Sequence, residues 1–119
     1  MKRNHRTLRA WQQAVELVEA VYAVTSSFPL EERYGLAGQM RRAAVSAPAN
    51  IAEGAARAGT KEYMHFLSIA SGSLSELDTL LTLATRLGFA GNLETLQAKL
   101  DEVSGLIIGL AASLRRRSG

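Results

Sequence analysis

Residues 92–117 read NLETLQAKLDEVSGLIIGLAASLRRR and carry the clearest periodic signal in the chain. Apolar side chains recur here in a strict alternation of three and four residues, which places them on one face of an α-helix. Asn92 precedes this face as a predicted N-cap. The stretch therefore predicts a long helix, helix four, with one apolar seam. The seam is Leu93, Leu96, Leu100, Val103, Ile107, Leu110 and Leu114.

A row of mostly small residues lies on the flank of this seam. We call it the small-residue ridge, and it consists of Asp101, Gly105, Gly109 and Ala112. Glycine costs roughly 1 kcal/mol relative to alanine in a helix interior, so two glycines here suggest a packing reason. The residues leave two interpretations open, the close approach of another helix and simple sequence drift.

Helix three is predicted between Thr60, a suitable N-cap, and Leu87. Gly88 follows in the position of a C-terminal cap residue. The seam positions again follow steps of three and four. They are Tyr63, Phe66, Ala70, Ser73, Leu77, Leu80, Ala84 and Leu87, widened by Leu67, Leu74 and Leu81.

Helix two is predicted from about Leu30 or Leu36 to Arg57, with Pro48 inside it. Proline lacks a backbone donor and crowds the carbonyl of Ala44, so we expect a kink at Pro48. The apolar stripe of this helix is Leu36, Met40, Ala43, Ala47 and Ile51.

Helix one is predicted from Leu8, and its pattern breaks at residues 25–29. Its apolar stripe is wider than one core seam requires. We therefore expect part of helix one to be buried twice, in the core and in an interface. The seam is Leu8, Trp11, Val15, Val18 and Tyr22, and the additional apolar positions are Ala14, Leu17, Val21 and Val24.

These four helices predict an all-α fold, since no segment alternates with period two and no hairpin signal appears. Short connections favour antiparallel neighbours, so we expect an up-down four-helix bundle with helix two kinked at Pro48. Residues 1–119 are predicted to form a single domain. In this topology the N- and C-termini lie at the same end.

Composition limits the class of protein. The chain has 47% hydrophobic and 21% charged residues, which is typical of a folded domain, and it has no cysteine. Disulfides and thiolate metal sites are therefore excluded, and we expect a cytoplasmic protein. The apolar run Val103–Leu114 is shorter than the ~20 residues needed to cross a bilayer, so no membrane partner is predicted.

The charge is distributed unevenly along the chain. Residues 10–114 hold 7 basic and all 11 acidic residues, a net charge of −4, and the ends hold the other 7 of the 14 basic residues. These terminal cations could converge on one pole and bind RNA or DNA phosphates, or could be ordinary solvated ends. They are Lys2, Arg3, Arg6, Arg9, Arg115, Arg116 and Arg117.

Helix two carries a narrow polar stripe beside its apolar one. At 100° per residue its members share one side of the helix. They could form a buried or half-buried network that fixes helix register, or contact a partner. We expect Asn50 and Glu53 to face other polar groups, so that Glu53→Ala costs a few kcal/mol. The stripe is Gln39, Arg42, Ser46, Asn50, Glu53 and Arg57.

Residues capable of catalysis are few. His5 and His65 are the two histidines, and Glu62 with His65 has the spacing of carboxylate-bridged metal centres in helical bundles. Such a centre needs two of these motifs and two more glutamates, and the chain has no second one. The sequence therefore predicts a non-enzymatic protein with no metal, cofactor or small-molecule substrate.

The run QMRRAAVSAPANIAEG, residues 39–54, resembles the signature of the four-helix-bundle proteins associated with intervening sequences in bacterial 23S ribosomal RNA genes. The resemblance extends over nearly the whole chain. Further blocks that resemble the family are Leu8, Trp11 and Ala14; Phe28-Pro29, Glu32 and Tyr34-Gly35-Leu36; and Phe66-Leu67, Ala70, Gly72-Ser73-Leu74 and Glu76.

This resemblance implies a four-helix bundle that assembles as a homopentamer. The family is also similar in architecture to accessory proteins of diversity-generating retroelements, which are pentamers that present a basic surface to nucleic acid. The leading hypothesis is therefore a self-associating protein that binds RNA or DNA. The alternative is a protein-protein adaptor or structural subunit, which the acidic body and the lack of an aromatic platform for base stacking favour.

Overall fold

The computed structural model describes residues 4–118 and contains four α-helices over that part of the chain. They are α1 (Arg9–Thr25), α2 (Leu36–Ala55), α3 (Thr60–Arg86) and α4 (Glu94–Ser118), with 3-10 turns at His5–Thr7 and Leu30–Glu32. Residues 4–118 include no β-strand. The prediction of an all-α, four-helix protein is confirmed.

The ends of the helices follow local hydrogen-bonding rules. Gly88 has a φ of +78°, its N–H donates to Thr85 and the N–H of Phe89 donates to the Ala84 carbonyl at 3.0 Å. This pattern is a Schellman cap, so the predicted role of Gly88 is confirmed. Asn92 caps α4 as predicted, because its Oδ1 accepts the N–H of Glu94 at 2.8 Å.

Two predicted helix starts need correction. The carbonyl of Gly59 accepts the N–H of Tyr63, so Gly59 is the N-cap of α3 and Thr60 is its first helical residue. Helix α2 starts at Leu36 and not at Leu30. The Glu32 carboxylate accepts the N–H of Leu36 at 2.9 Å, which fixes the start of α2 after the separate 3-10 turn.

One core contains side chains of all four helices. The predicted stripe of α2 is fully buried, and most of the predicted seam of α4 is buried. Pro48 lies inside α2 without ending it, and the kink stays a prediction. No helix in residues 4–118 combines the length and the hydropathy that crossing a bilayer requires.

The predicted seam of α1 is wrong by a rotation about the helix axis. Trp11 and Val18 are only partly buried, and Tyr22 is 44% exposed. Helix α1 contacts α4 through Glu16 and α2 through Thr25, and the direction between these contacts is the one that points into the core. The buried positions of α1 are Ala10, Ala14, Leu17, Val21 and Thr25.

Helices α2 and α3 approach each other closely. A Cβ atom added to Gly54 would lie 3.0 Å from Phe66 Cβ, 3.0 Å from Tyr63 Cδ1 and 3.2 Å from the Tyr63 carbonyl oxygen. Farther along the pair, the Oγ atoms of Ser46 and Ser73 are 2.7 Å apart. The small residues of α2 therefore set the distance at which α3 packs.

Gly54→Ala should lower the free energy of unfolding by about 1 kcal/mol or more. Overpacking costs about 1–3 kcal/mol, and the gain in helix propensity is below ~1 kcal/mol because Gly54 lies in the last turn of α2. Urea denaturation at fixed protein concentration measures the change. Gly72→Ala is the control, since a Cβ atom there meets nothing within 4 Å, and it should raise stability by up to ~1 kcal/mol.

Candidate functional site

Arg115, Arg116 and Arg117 form the last turn of α4, where cations interact favourably with the helix dipole. Their side chains are exposed, and Arg115 also borders a groove between α3 and α4 that contains Met64. Partial burial raises the pKa of the Tyr63 hydroxyl, and the charge of Arg117 opposes that rise. The three arginines therefore lie beside the first turns of α3.

The connection between α2 and α3 brings further charge to the same end. Arg57 Nη2 is 2.6 Å from Glu53 Oε2, and its guanidinium carbon lies 5.0 Å from the centre of the Phe66 ring. Lys61 is exposed on the first turn of α3. We call this end the C-terminal pole and define it by Arg57, Lys61 and Arg115–Arg117. These five cations exceed the nearby acids Glu53 and Glu62 by three charges.

The N-terminal cations are placed elsewhere. Lys2 and Arg3 lie outside the described residues. Arg6 lies over the Trp11 ring, with 5.7 Å between its guanidinium carbon and the ring centre, and Arg9 Nη2 is 3.0 Å from Glu102 Oε2. Glu102 precedes Arg115 by 13 residues, about 20 Å of helix.

The expectation that both basic ends converge is therefore wrong for Arg9. The reason is helix length, since α1 has 17 residues and α4 has 25. Helix α1 begins at the level of the middle of α4, and the last turns of α4 continue past it. Arg9 is also paired with a carboxylate, which reduces its attraction for a phosphate.

A cluster of charged and polar groups joins α1 to α4. Lys99 Nζ donates to Glu16 Oε1 at 2.7 Å and to Gln13 Oε1, and it lies 3.6 Å from Glu102 Oε1. The hydrogen bond to Glu16 is the main reason that the pKa of Lys99 is raised. Glu102 also pairs with Arg9. The charges of this cluster compensate one another, which indicates a structural role.

The polar stripe of α2 has a half-buried inner part. Asn50 Nδ2 donates to the carbonyl of Ser46 at 2.8 Å and to its Oγ at 2.9 Å, and Ser73 Oγ donates to Ser46 Oγ at 2.7 Å. Asn50 therefore faces polar groups, as predicted. The sequence placed Ser73 in the seam of helix three but did not identify it as a partner of Ser46. A lone hydroxyl in an otherwise apolar seam was the available signal.

The outer part of the stripe is exposed. The Glu53 side chain is 49% exposed and pairs with Arg57, so the expectation that Glu53 is shielded from water is wrong. Residue 53 points about 60° farther around α2 than Asn50, away from α3. Gln39 and Arg42 are also exposed. The six stripe residues therefore do not form one buried network.

No metal site is assembled in the part of the chain that the structure describes. Within residues 4–118, no three His, Asp or Glu side chains come together as ligands of an ion. Glu62 Oε2 lies 4.0 Å from Arg57 Nη1, and the His65 ring packs edge-on against Phe66. The Glu62 and His65 pair thus has ordinary structural neighbours.

Comparison with known families assigns the chain. Residues 6–109 match the family described as 23S rRNA-intervening sequence protein. The chain belongs to this family. The resemblance carried by residues 39–54 is thereby confirmed. No curated protein matches the chain.

The boundaries of the match separate the two candidate sites. The polar stripe, Gln39 to Arg57, lies within the matched residues of this 23S rRNA-intervening sequence protein. Arg115–Arg117 follow the end of the match at Gly109. The inner part of the stripe is therefore part of the framework that the family description covers, whereas the arginine turn is an addition at the end of α4.

Ser46→Ala should lower the free energy of unfolding by about 1–2 kcal/mol, because it removes two half-buried hydrogen bonds while Asn50 and Ser73 keep backbone acceptors. Glu53→Ala should change it by only about 0.5 kcal/mol, as expected for an exposed ion pair. Denaturant titration measures both, with Ser75→Ala as an exposed serine control on α3. Equal losses for Ser46→Ala and Ser75→Ala would contradict the assignment of the inner part.

Proposed function

We propose that this protein is a non-enzymatic, self-associating helical bundle of the cytoplasm that binds RNA or another nucleic acid through its C-terminal pole. The observation that carries the proposal is the surplus of three positive charges at that pole, above a body with a net charge of −4. The lack of cysteine supports the cytoplasmic location.

The proposal takes the bundle as up-down and antiparallel, with α2 kinked at Pro48. The pairs of contacting residues support this order. From α2 to α3, Ser46 pairs with Ser73, and Gly54 packs on Phe66, so residue numbers rise on one helix as they fall on the next. Gln97 of α4 donates to Asp78 of α3, which continues the pattern.

The C-terminal pole suits phosphates better than bases. Arg115–Arg117 supply a dense, exposed positive charge, and phosphate contacts of this kind give affinity with little sequence preference. Base stacking needs an exposed aromatic face. Tyr63 and Phe66 are both partly buried, and Arg57 lies over the Phe66 ring. We therefore expect binding to the backbone of RNA or DNA.

The family description makes RNA the first ligand to test, since it names a 23S rRNA-intervening sequence. That description refers to an association with a gene region and does not by itself identify a ligand. RNA and DNA of equal length therefore belong in the same experiment.

Self-association is supported by exposed apolar surface. Val45 is 43% exposed and Ile108 is 63% exposed, and residues 103–114 of α4 carry no charge. Family resemblance supports a pentamer. Light scattering at micromolar concentration should then give about 64 kDa, five times the 12.8 kDa of one chain. A mass of one chain at that concentration would exclude self-association.

The alternative function is a protein-protein adaptor or structural subunit. Leu30 and Tyr34, in the connection between α1 and α2, are 76% and 84% exposed and lie away from the C-terminal pole. Exposed apolar and aromatic side chains of this kind are typical of protein interfaces. Failure to bind any nucleic acid at low salt would leave this alternative as the better explanation.

Arg116→Ser with Arg117→Ser should weaken nucleic-acid binding and make it less salt-dependent. Losing two phosphate contacts per chain should reduce the slope of log K against log salt by about 1.5–2. Fluorescence anisotropy of labelled RNA and DNA at several salt concentrations measures both effects.

The matched control is Arg33→Ser with Arg86→Ser. These two exposed arginines lie outside the C-terminal pole, and their loss changes the net charge by the same amount. The control should keep most of the affinity. Equal weakening by the two double variants would mean that net charge, and not the pole, determines binding.

A further inference from the structure

Two uncharged surfaces lie on different sides of the bundle. The first is formed by outward-facing residues of α1 and α2, and we call it the α1–α2 face. Tyr22 and Val45 are its most exposed large apolar residues. Residues 43–52 of α2 contain no charge. The members of the α1–α2 face are Trp11, Val15, Val18, Tyr22, Val45, Ala49 and Ala52.

The second surface is the small-residue ridge of α4. Gly105 and Gly109 are exposed, and a Cβ atom added to either one meets nothing within 4 Å. The ridge is therefore not used for packing within the chain. Ile108 beside it is exposed as well.

We propose that the α1–α2 face of one copy packs on the small-residue ridge of a second copy. The inference rests on the self-association in the proposed function and specifies the two surfaces that meet. Large side chains protrude from the first surface and glycines form the second, so the two surfaces have complementary shapes. Helix axes can approach to 8 Å or closer where glycine forms the contact.

The two surfaces lie at the same level of the bundle. Ser46 of α2 pairs with Ser73 of α3, and Ser71 shares a groove with Ile107 of α4. Gly105 is therefore approximately level with Ser46, and Arg9 is level with Glu102 through their ion pair. Side-by-side copies related by rotation about an axis along the bundle must use surfaces at equal levels, and this pair satisfies that condition.

Charge complementarity supports the same pairing. Asp101 precedes Gly105 by four residues, and Arg42 precedes Ser46 by four residues. Both α2 and α4 run opposite to α3, so Arg42 of one copy comes to the level of Asp101 of the next. Both side chains are exposed. The one acid of the small-residue ridge thus faces an arginine of the α1–α2 face.

Because the two surfaces differ, the contact is heterologous. Each copy then uses its α1–α2 face toward one neighbour and its ridge toward the other, which produces a closed ring or an open filament. An isologous dimer, in which the same surface meets itself, would leave one of the two surfaces uncovered. This difference allows a mixing experiment to decide.

The test uses two variants of the full chain, each with one blocked surface. The face variant is Val45→Glu with Ala49→Glu, and the ridge variant is Gly105→Gln with Gly109→Gln. All four positions are exposed, so circular dichroism should show unchanged helix content and melting should stay cooperative. Gly72→Gln, at an exposed open position on α3, is the matched control.

We expect the unmodified protein and the control to be oligomeric by light scattering and each variant to be a monomer at the same concentration. A mixture of the two variants should form a 1:1 dimer of about 26 kDa, twice 12.8 kDa, because one intact surface of each kind remains. A ridge variant that still assembles alone, a mixture that stays monomeric, or a control that dissociates would overturn the proposal.

Charge reversal gives a second readout. Arg42→Asp and Asp101→Arg should each weaken assembly at least tenfold, and the two together in one chain should restore it. Absence of rescue would contradict the pairing of these residues. If the unmodified protein is itself a monomer, self-association fails as a whole, whereas an oligomer with intact ridge variants rejects only the proposed surfaces.

Discussion

The close contact between α2 and α3 is the constraint on which the rest of the structure depends. At Gly54 a Cβ atom would lie 3.0 Å from atoms of two α3 side chains, and the buried residues Ala43 and Ala47 keep the opposed surface of α2 low. Such short residues bring the helices near enough for the Ser46 and Ser73 hydroxyls to bond. That bond, in turn, fixes the level of α3 against α2 and so the level of α4 against both.

The unequal helix lengths then determine where the charges lie. Helix α1 has 17 residues and α4 has 25, so the ion pair of Arg9 with Glu102 is formed beside the middle of α4. The end of α4 lies instead beside the start of α3, where Arg117 acts on the ionisation of Tyr63. The arginine turn therefore shares its surroundings with Arg57 and Lys61, and not with Arg9.

Features that depend on neighbouring residues were predictable from the sequence, because periodicity and capping are local. The α4 seam and the Gly88 cap are examples. The inward side of α1 was not predictable, since its apolar stripe is wide enough to allow several rotations. Pairs such as Ser46 with Ser73 depend on the register of two helices, which propensity does not determine. The exposure of Glu53 follows from a rotation of about 60° relative to Asn50, and this is smaller than a stripe drawn from sequence resolves.

The positions of the two candidate surfaces connect self-association with nucleic-acid binding. The α1–α2 face and the small-residue ridge lie on the sides of the bundle, whereas the C-terminal pole lies at its end. Side-by-side assembly about an axis along the bundle therefore leaves every pole uncovered and brings all of them to one rim. A single pole with a surplus of three charges binds phosphate weakly, but several poles on one rim bind one polyanion at high effective concentration. Assembly in this geometry raises avidity without any new contact to the nucleic acid, which gives a physical reason for the uncharged faces and the arginine turn to occur in the same chain.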